Sequence, residues 1–257
     1  MDPRFSLAGL AVGTAVGLTG IGGNALLAPI LILLLGVSPT LAVGTDLAYG
    51  VPTKILACIL HSRQKNVDWF VAKWLIIGGL PGGMAGLVGF AILRAHVPRA
   101  QLEAGIKHGI GIAILAACVG IAATWLLRGR TTIDVSAVPA ARRHWTIAAI
   151  GALVGVLVCM TSVGSGSVTL PLLVFALPAY AIRRLIGAEI AFSAFLVPLA
   201  TAGHIAFGNV NWPMAAGLAV GSLPGVWLGT RMSRLIGEGW LRPIIFALLA
   251  LSGWRLV

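Results

Sequence analysis

Residues 66–82 read NVDWFVAKWLIIGGLPG, and residues 209–225 read NVNWPMAAGLAVGSLPG, at an offset of 143 positions. Both segments pass from a polar Asn-Val loop into an apolar stretch that contains a Leu-Pro-Gly sequence. A correspondence of this length predicts that the chain consists of two homologous halves. The apolar stretch after each loop also has the composition of a membrane-spanning helix, so the same segment predicts the fold class.

Further correspondences extend the repeat along the chain. At an offset of 143 or 142, residues of the first half correspond to residues of the second: His61 to His204, Asp46 to Glu189, Gly22 to Gly164 and Pro29 to Pro171. Chance does not readily produce such an ordered series. We therefore predict a first transmembrane repeat at residues 1–127, a basic cytoplasmic linker at 128–144 and a second transmembrane repeat at 145–257.

The composition excludes both a soluble globular domain and a disordered chain. Of the 257 residues, 58% are hydrophobic and 10% are charged, whereas soluble domains carry roughly 25% charged residues and disordered chains have low hydrophobicity. The mean hydropathy of +0.99 predicts an all-α polytopic membrane protein surrounded by a lipid bilayer. The net charge of +11 fits basic cytoplasmic loops better than a nucleic-acid partner, because no aromatic and basic cluster accompanies it.

Apolar runs divide the chain into eight blocks, four in each half. They are approximately 5–36, 39–60, 69–93, 105–127, 145–177, 182–206, 212–235 and 240–257. Six of them are close to the ~20 residues that span a bilayer as a helix. The first block of each half would be about 48 Å long as a single helix, and each contains a Gly-rich or Ser-rich interruption. We therefore predict that these two blocks are broken or re-entrant.

The distribution of Lys and Arg bears on the orientation of the two halves. If each block crosses the membrane once, the halves are parallel, with 9 basic residues on one side and 8 on the other. If the two long blocks return to the side they enter from, or cross twice, the halves are inverted and the counts become 12 and 5. Cytoplasmic loops carry an excess of positive charge, so the counts favour inverted repeats, which are common in transporters.

The interruptions of the two long blocks are candidate substrate-binding sites. A helix that begins inside the membrane presents free backbone N–H groups and a partial positive charge, which suit an anion. The substrate-binding candidates are Gly22, Gly23, Asn24, Gly164, Ser165, Gly166, Ser167 and the isolated cation Lys54. The alternatives are that the glycines serve close helix packing and that Lys54 pairs with Asp46. Interruptions at corresponding positions of two halves favour a binding site.

Four titratable residues are candidates for coupling transport to protons. Asp46 and Glu189 lie early in the second and sixth blocks, where acidic side chains are costly and mark functional sites. His61 and His204 correspond to each other near the far ends of the same blocks, next to a polar loop. The alternatives are that the carboxylates lie near an interface and pair with a neighbour such as Arg183, and that both histidines are interfacial.

Glycine-rich and polar motifs recur in the same order in both halves. They are Thr19-Gly20-Ile21-Gly22-Gly23-Asn24 with Pro29, Gly44-Thr45, Asn66-Val67-Asp68-Trp69 and Gly78-Gly79-Leu80-Pro81-Gly82, followed by Gly164-Ser165-Gly166 with Pro171, Gly187, His204, Asn209-Val210 and Leu223-Pro224-Gly225. This series resembles the TauE/SafE family of sulfite and organosulfur anion exporters over nearly the whole chain except the linker. The resemblance implies a secondary transporter with four-segment repeats that moves anions such as sulfite, thiosulfate or sulfonates out of the cytoplasm.

We accordingly predict a multi-pass transporter of the cell membrane that exports a small sulfur-containing anion by alternating access, with proton coupling and without a cofactor. A homo-oligomer is left open. The alternatives are a structural membrane subunit and an intramembrane enzyme in which Ser162, Ser165 or Ser167 acts with His204 as its base. The chain contains no GxxxxGK[ST], HExxH or GxSxG motif, which argues against an ATP-driven pump and against an enzyme. Its cysteines lack CxxC spacing, so neither a disulfide nor a metal site is expected.

Overall fold

The computed structural model is α-helical throughout its regular structure, which confirms the predicted fold class. It describes residues 3–19, 24–127, 140–178, 180–233 and 238–257. Within them ten helices follow one another: α1 (Pro3–Thr19), α2 (Asn24–Leu33), α3 (Pro39–Arg63), α4 (Trp69–His96), α5 (Arg99–Leu127), α6 (Ala140–Thr161), α7 (Thr169–Ala176), α8 (Ile182–Ala206), α9 (Trp212–Ser233) and α10 (Glu238–Leu256).

Six of the eight predicted blocks correspond to one helix each, and the two long blocks contain two helices each. Block 5–36 holds α1 and α2, and block 145–177 holds α6 and α7 with residues 162–168 between them. The chain joining α1 to α2 lies outside the described residues, as do residues 128–139 of the predicted linker. The last part of that linker is already helical, because α6 begins at Ala140.

The surface of the helices is that of a membrane protein. Five described segments are long and apolar enough to cross a bilayer: Pro39–Arg63, Trp69–His96, Arg99–Thr124, Arg143–Thr161 and Ile182–Ala206. Large apolar side chains point outward, among them Met84 and Val88 on α4, Val119 on α5 and Leu223 on α9. So large an exposed apolar surface is unfavourable in water and stable against lipid. The chain is therefore a multi-pass membrane protein.

Glycines allow two pairs of helices to pack with their backbones in contact. A methyl group on Gly78 of α4 would overlap the carbonyl oxygen of Ala148 on α6. In the same way, a methyl group on Gly9 of α1 would overlap the carbonyl oxygen of Leu218 on α9. Later residues of each helix meet later residues of its partner, so both pairs run parallel. Small residues at such contacts are the usual means of helix association in a membrane.

The central pair, α3 and α8, runs antiparallel. Gly44 near the start of α3 lies against the carbonyl group of Asn209, which follows α8. Gly187 near the start of α8 lies against the carbonyl group of Asn66, which follows α3. Neither glycine has room for a β-carbon. Each helix therefore begins beside the loop that ends the other, and α3 and α8 lie side by side in the core.

Polar side chains at the ends of the two Asn-Val loops cap the N-termini of the helices that follow. The Asp68 carboxylate accepts hydrogen bonds from the backbone N–H groups of Phe70 and Val71 at 3.1 and 3.2 Å. Oδ1 of Asn211 accepts one from the N–H group of Met214 at 3.0 Å. Asp and Asn are favoured N-caps because they satisfy N–H groups that have no partner within the helix. The quoted motifs therefore have a structural role as N-caps of α4 and α9.

Candidate functional site

A buried ion pair joins the two central helices. Nζ of Lys54 on α3 lies 3.6 Å from Oε1 of Glu189 on α8, and the two side chains are 9% and 6% exposed. The hydroxyl of Ser193, one turn further along α8, donates to the same Oε1 at 2.6 Å. Lys54 thus pairs with a carboxylate of the other half instead of Asp46, and Glu189 pairs with Lys54 instead of Arg183. Removing one partner of such a pair leaves an uncompensated buried charge and lowers the free energy of unfolding by about 3–5 kcal/mol.

Asp46 is fully buried on α3 and has a different set of partners. Its Oδ2 accepts a 2.5 Å hydrogen bond from the hydroxyl of Ser162. Its Oδ1 has no hydrogen-bond partner among the described residues. Ser162 follows the last residue of α6 and has a φ of 61°, a left-handed conformation that is uncommon for a residue with a β-carbon. The helix break of the second half therefore supplies a donor to the carboxylate of the first half.

The same break also reaches Glu189. A β-carbon on Gly166 would lie 3.7 Å from Oε1 of Glu189, so the backbone of residue 166 adjoins that carboxylate. Gly164 and Gly166 have φ values of 131° and 95°, which glycine adopts readily and other residues do not. The side chains of Ser165 and Ser167 are buried, and their hydroxyls have no hydrogen-bond partner among the described residues. Two free donors thus lie in the segment that contacts both carboxylates.

The backbone N–H groups at the start of α7 are not free to bind an anion. The N–H group of Thr169 donates to the carbonyl oxygen of Gly164 at 3.1 Å, and that of Leu170 donates to Gly166 at 3.3 Å. The next residue is Pro171, which has no N–H group. The first turn of α7 is therefore already satisfied by the break that precedes it. The hydroxyls of Ser165 and Ser167, which have no partner among the described residues, remain as donors for a ligand.

Replacing Gly166 by alanine is expected to weaken anion binding at least tenfold. The φ of 95° is unfavourable for alanine, and the added methyl group would lie against the Glu189 carboxylate. Equilibrium binding of a labelled oxyanion to the purified protein measures the effect. Gly36→Ala is the matched control, because Gly36 also has a positive φ, of 64°, but has open space around it. Equal loss of binding in both variants would attribute the effect to backbone strain alone.

The two corresponding histidines have different surroundings. His204 is fully buried; its Nε2 donates to the carbonyl oxygen of Cys159 at 2.9 Å, and the Asn209 side-chain amide lies 3.4 Å from its Nδ1. Its ring also contacts that of Phe90. The neutral tautomer with hydrogen on Nε2 satisfies both nitrogens, an arrangement typical of a packed structural histidine. His61 is half-buried near the end of α3, and its role in proton coupling stays a prediction.

The structure brings together only some of the predicted site residues. Lys54, Asp46, Glu189 and the break at 164–167 form one buried polar cluster between α3, α8 and the segment after α6. The corresponding interruption of the first half cannot be compared with it. Gly22 and Gly23 lie outside the described residues, and Asn24 is described only as the first residue of α2.

Two members of the cluster were not predicted as site residues. Ser193 lies four residues after Glu189 and therefore on the same face of α8, a spacing that is visible in the sequence. From the sequence, Ser162 is, like Ser165 and Ser167, a candidate nucleophile of the alternative enzyme, with His204 as its base. Its hydroxyl instead donates to Asp46, while Nε2 of His204 donates to a backbone carbonyl group. The two residues thus lack the nucleophile–base hydrogen bond that an intramembrane serine enzyme requires.

Comparison with known proteins finds similar chains over the whole length. Residues 5–256 match the family described as Sulfite exporter TauE/SafE. Probable membrane transporter protein YjnA of Bacillus subtilis (strain 168) is 34% identical over 258 residues, which cover 100% of both chains. A probable membrane transporter protein of Xylella fastidiosa (strain Temecula1) is 29% identical over 94% of this chain and 88% of its own. No solved structure matches the chain.

Proposed function

We propose that this chain, which belongs to the sulfite exporter TauE/SafE family, exports a small sulfur-containing oxyanion such as sulfite. The family and the relatives identify it as a membrane transporter and not an enzyme. As a multi-pass transporter it belongs in the cell membrane. The family narrows the substrate to a class of anions. Support for an anion, and for the place where it binds, comes from the buried cluster.

The observation that carries the proposal is a buried cation whose carboxylate partner adjoins a segment with unpartnered hydroxyls. Among the described residues, Lys54 is the buried side chain of the Lys and Arg type, and Ser165 and Ser167 lie in the break that adjoins its partner Glu189. An anion in the interior of a membrane protein needs a positive charge and hydrogen-bond donors in place of water. Ammonium and hydroxyl groups together supply charge-assisted hydrogen bonds to sulfite oxygens.

The charges of the cluster support proton coupling. Lys54 is balanced by Glu189, and Asp46 adds a second carboxylate close by. A further anion in this environment meets strong repulsion unless one carboxyl group takes up a proton, because charges interact strongly at low dielectric. We infer that anion and proton occupy the transporter together, with Asp46 or Glu189 as the proton carrier.

Reciprocal contacts support inverted repeats and alternating access. The contact of Gly44 with Asn209 becomes that of Gly187 with Asn66 when each residue is replaced by its counterpart in the other half. The counterparts α3 and α8 run antiparallel, as inverted halves require. We infer that the two halves are related by a two-fold axis in the membrane plane. Exchange of conformation between such halves opens a central site to each side in turn.

The proposal is tested by counterflow in proteoliposomes loaded with unlabelled sulfite. We expect labelled sulfite to enter saturably and other sulfur anions, such as thiosulfate and sulfoacetate, to compete with it. Taurine, which is a zwitterion, and inorganic anions such as chloride and nitrate complete the screen, and protein-free liposomes give the background. Absence of saturable flux for every sulfur anion would contradict the proposed substrate class.

A further inference from the structure

Asp46 and Glu189 occupy corresponding positions, yet only Glu189 has a cation within salt-bridge distance among the described residues. Glu189 has Lys54 at 3.6 Å, and the residue that corresponds to Lys54 in the second half is Val197. Lys54 on α3 lies next to Glu189 on α8. If the two halves are inverted copies, position 197 on α8 faces Asp46 on α3 in the same way. The second half therefore has an apolar side chain where the first half has the lysine that pairs with a carboxylate.

Asp46 is buried without a compensating charge in contact. Its Oδ2 has the hydroxyl of Ser162, its Oδ1 has no hydrogen-bond partner in the described part of the chain, and no salt bridge there joins it to a cation. The helices packed around it carry further ionisable groups, and α2 has none. They are Tyr49, Lys54, Cys58, His61 and Arg63 on α3, Arg99, Glu103, Lys107, His108 and Cys118 on α5, Arg142, Arg143, His144 and Cys159 on α6, Arg183, Arg184, Glu189 and His204 on α8, and Arg231 on α9.

We propose that Asp46 alone carries the coupling proton, on Oδ1, and that Glu189 remains the ionised partner of Lys54 throughout the transport cycle. This division of roles rests on the proposed function. The proton enters from water on one side of the membrane, adds to the Asp46 carboxylate, and leaves to water on the other side after the anion. No covalent bond other than this O–H bond forms or breaks.

The division of roles keeps the buried charge constant. In the empty transporter Asp46, Glu189 and Lys54 together carry one net negative charge. With a proton on Asp46 and a monovalent anion bound, the net charge is again one negative. Loading therefore avoids a second uncompensated charge in the membrane interior, which is strongly unfavourable. A protonated Oδ1 also becomes a hydrogen-bond donor, as an anion requires.

Transport of this kind is electroneutral. One proton moves with one monovalent anion in the same direction, so a pH gradient drives accumulation and a membrane potential alone does not. In Asp46→Asn, we expect pH-driven accumulation of labelled sulfite to fall at least tenfold, while an imposed potential now drives it. The measurement uses proteoliposomes at mildly acidic pH, where sulfite is mainly monovalent, with potassium and valinomycin setting the potential.

Val197→Lys tests the same inference without altering either carboxylate. A lysine at position 197 is expected to hold Asp46 ionised, because an opposite charge close by favours the ionised form of a carboxyl group, and to produce the same change from pH-driven to potential-driven flux. Val197→Met is the matched control, since methionine has similar length and no charge. We expect that control to retain pH-driven accumulation.

Glu189→Gln distinguishes the two carboxylates. This variant leaves Lys54 buried without its partner, so we expect lower thermal stability and a changed affinity for sulfite. The flux that remains should still be driven by the pH gradient and not by the potential. Loss of pH-driven accumulation in Glu189→Gln together with its retention in Asp46→Asn would overturn the assignment and leave the proposed function intact. Sulfite flux in the unaltered protein that follows the potential and ignores the pH gradient would overturn it as well. Absence of any sulfur-anion flux in that protein would instead refute the proposed function.

Discussion

Lys54→Met is expected to abolish saturable anion binding, with at least about a 100-fold loss of affinity. Lys54 is the buried basic side chain of the cluster, and methionine replaces its ammonium group while preserving most of its length. Removing one partner of a buried charge interaction costs about 3–5 kcal/mol of interaction free energy. Every ~1.4 kcal/mol lost from the binding free energy lowers the affinity tenfold. Equilibrium binding of labelled sulfite to purified protein measures the loss directly.

The single substitution also leaves Glu189 buried without its cation, which destabilises the fold and complicates the result. The double variant Lys54→Met with Glu189→Gln removes both charges and is expected to recover the thermal stability in detergent that the single variant loses. Binding should remain absent in the double variant because no cation is restored. Full recovery of sulfite binding there would mean that Lys54 serves only to balance Glu189 and that the anion binds elsewhere.

The membrane class and the acidic candidates could be predicted because their signals are local. Asp46 and Glu189 are each the one acidic residue of a long apolar run, and the constant offset between the halves pairs them without knowledge of the fold. The interruption at 164–167 is visible because glycine and serine replace apolar residues inside a block that is too long for one span. Each signal depends only on composition within a short window.

The contacts among these residues depend on helix packing and could not be predicted. Lys54 and Asp46 are about 12 Å apart along one helix, whereas the partner at 3.6 Å, Glu189, lies there because α3 and α8 pack antiparallel in a particular register. His61 and His204 are adjacent to nearly identical loops, yet only His204 is enclosed by the Cys159 carbonyl group and an aromatic ring. A repeat in sequence thus predicts equivalent positions and not equivalent surroundings.

Backbone geometry accounts for the remaining difference between expectation and structure. The break before α7 was expected to leave N–H groups free for the anion. The N–H groups of Thr169 and Leu170 instead donate to the carbonyl oxygens of Gly164 and Gly166, two residues with positive φ values. The φ that a glycine takes in such a segment depends on its packing, so these hydrogen bonds and the unpartnered hydroxyls of Ser165 and Ser167 could be identified only in the structure.

Gly187→Ala is expected to lower the thermal stability of the protein and to reduce sulfite flux at least tenfold. A β-carbon at position 187 would overlap the carbonyl oxygen of Asn66 and lie 3.0 Å from the α-carbon of Val67. These are backbone atoms of the loop that leads into the N-cap of α4, so no side-chain rotation relieves the contact. Overpacking at such a site lowers the free energy of unfolding by about 1–3 kcal/mol or more.

The expected loss of flux follows from the position of Gly187 two residues before Glu189. Moving the start of α8 away from the loop at 66–68 also moves the Glu189 carboxylate relative to Lys54, whose Nζ is already 3.6 Å from it. Gly44→Ala makes the reciprocal change on α3, where the overlap is with Asn209, and should displace Asp46 instead.

Gly89→Ala on α4 is the matched control for both variants. A methyl group there meets nothing within 4 Å, and alanine favours a helix over glycine by up to about 1 kcal/mol. This control should therefore keep or slightly raise the thermal stability measured in detergent and leave flux unchanged. If Gly187→Ala and Gly44→Ala behaved like Gly89→Ala in both measurements, the close approach of each central helix to the opposite loop would be irrelevant to transport. If instead both variants lose flux while the control does not, the two carboxylates depend on the same kind of contact, one in each half.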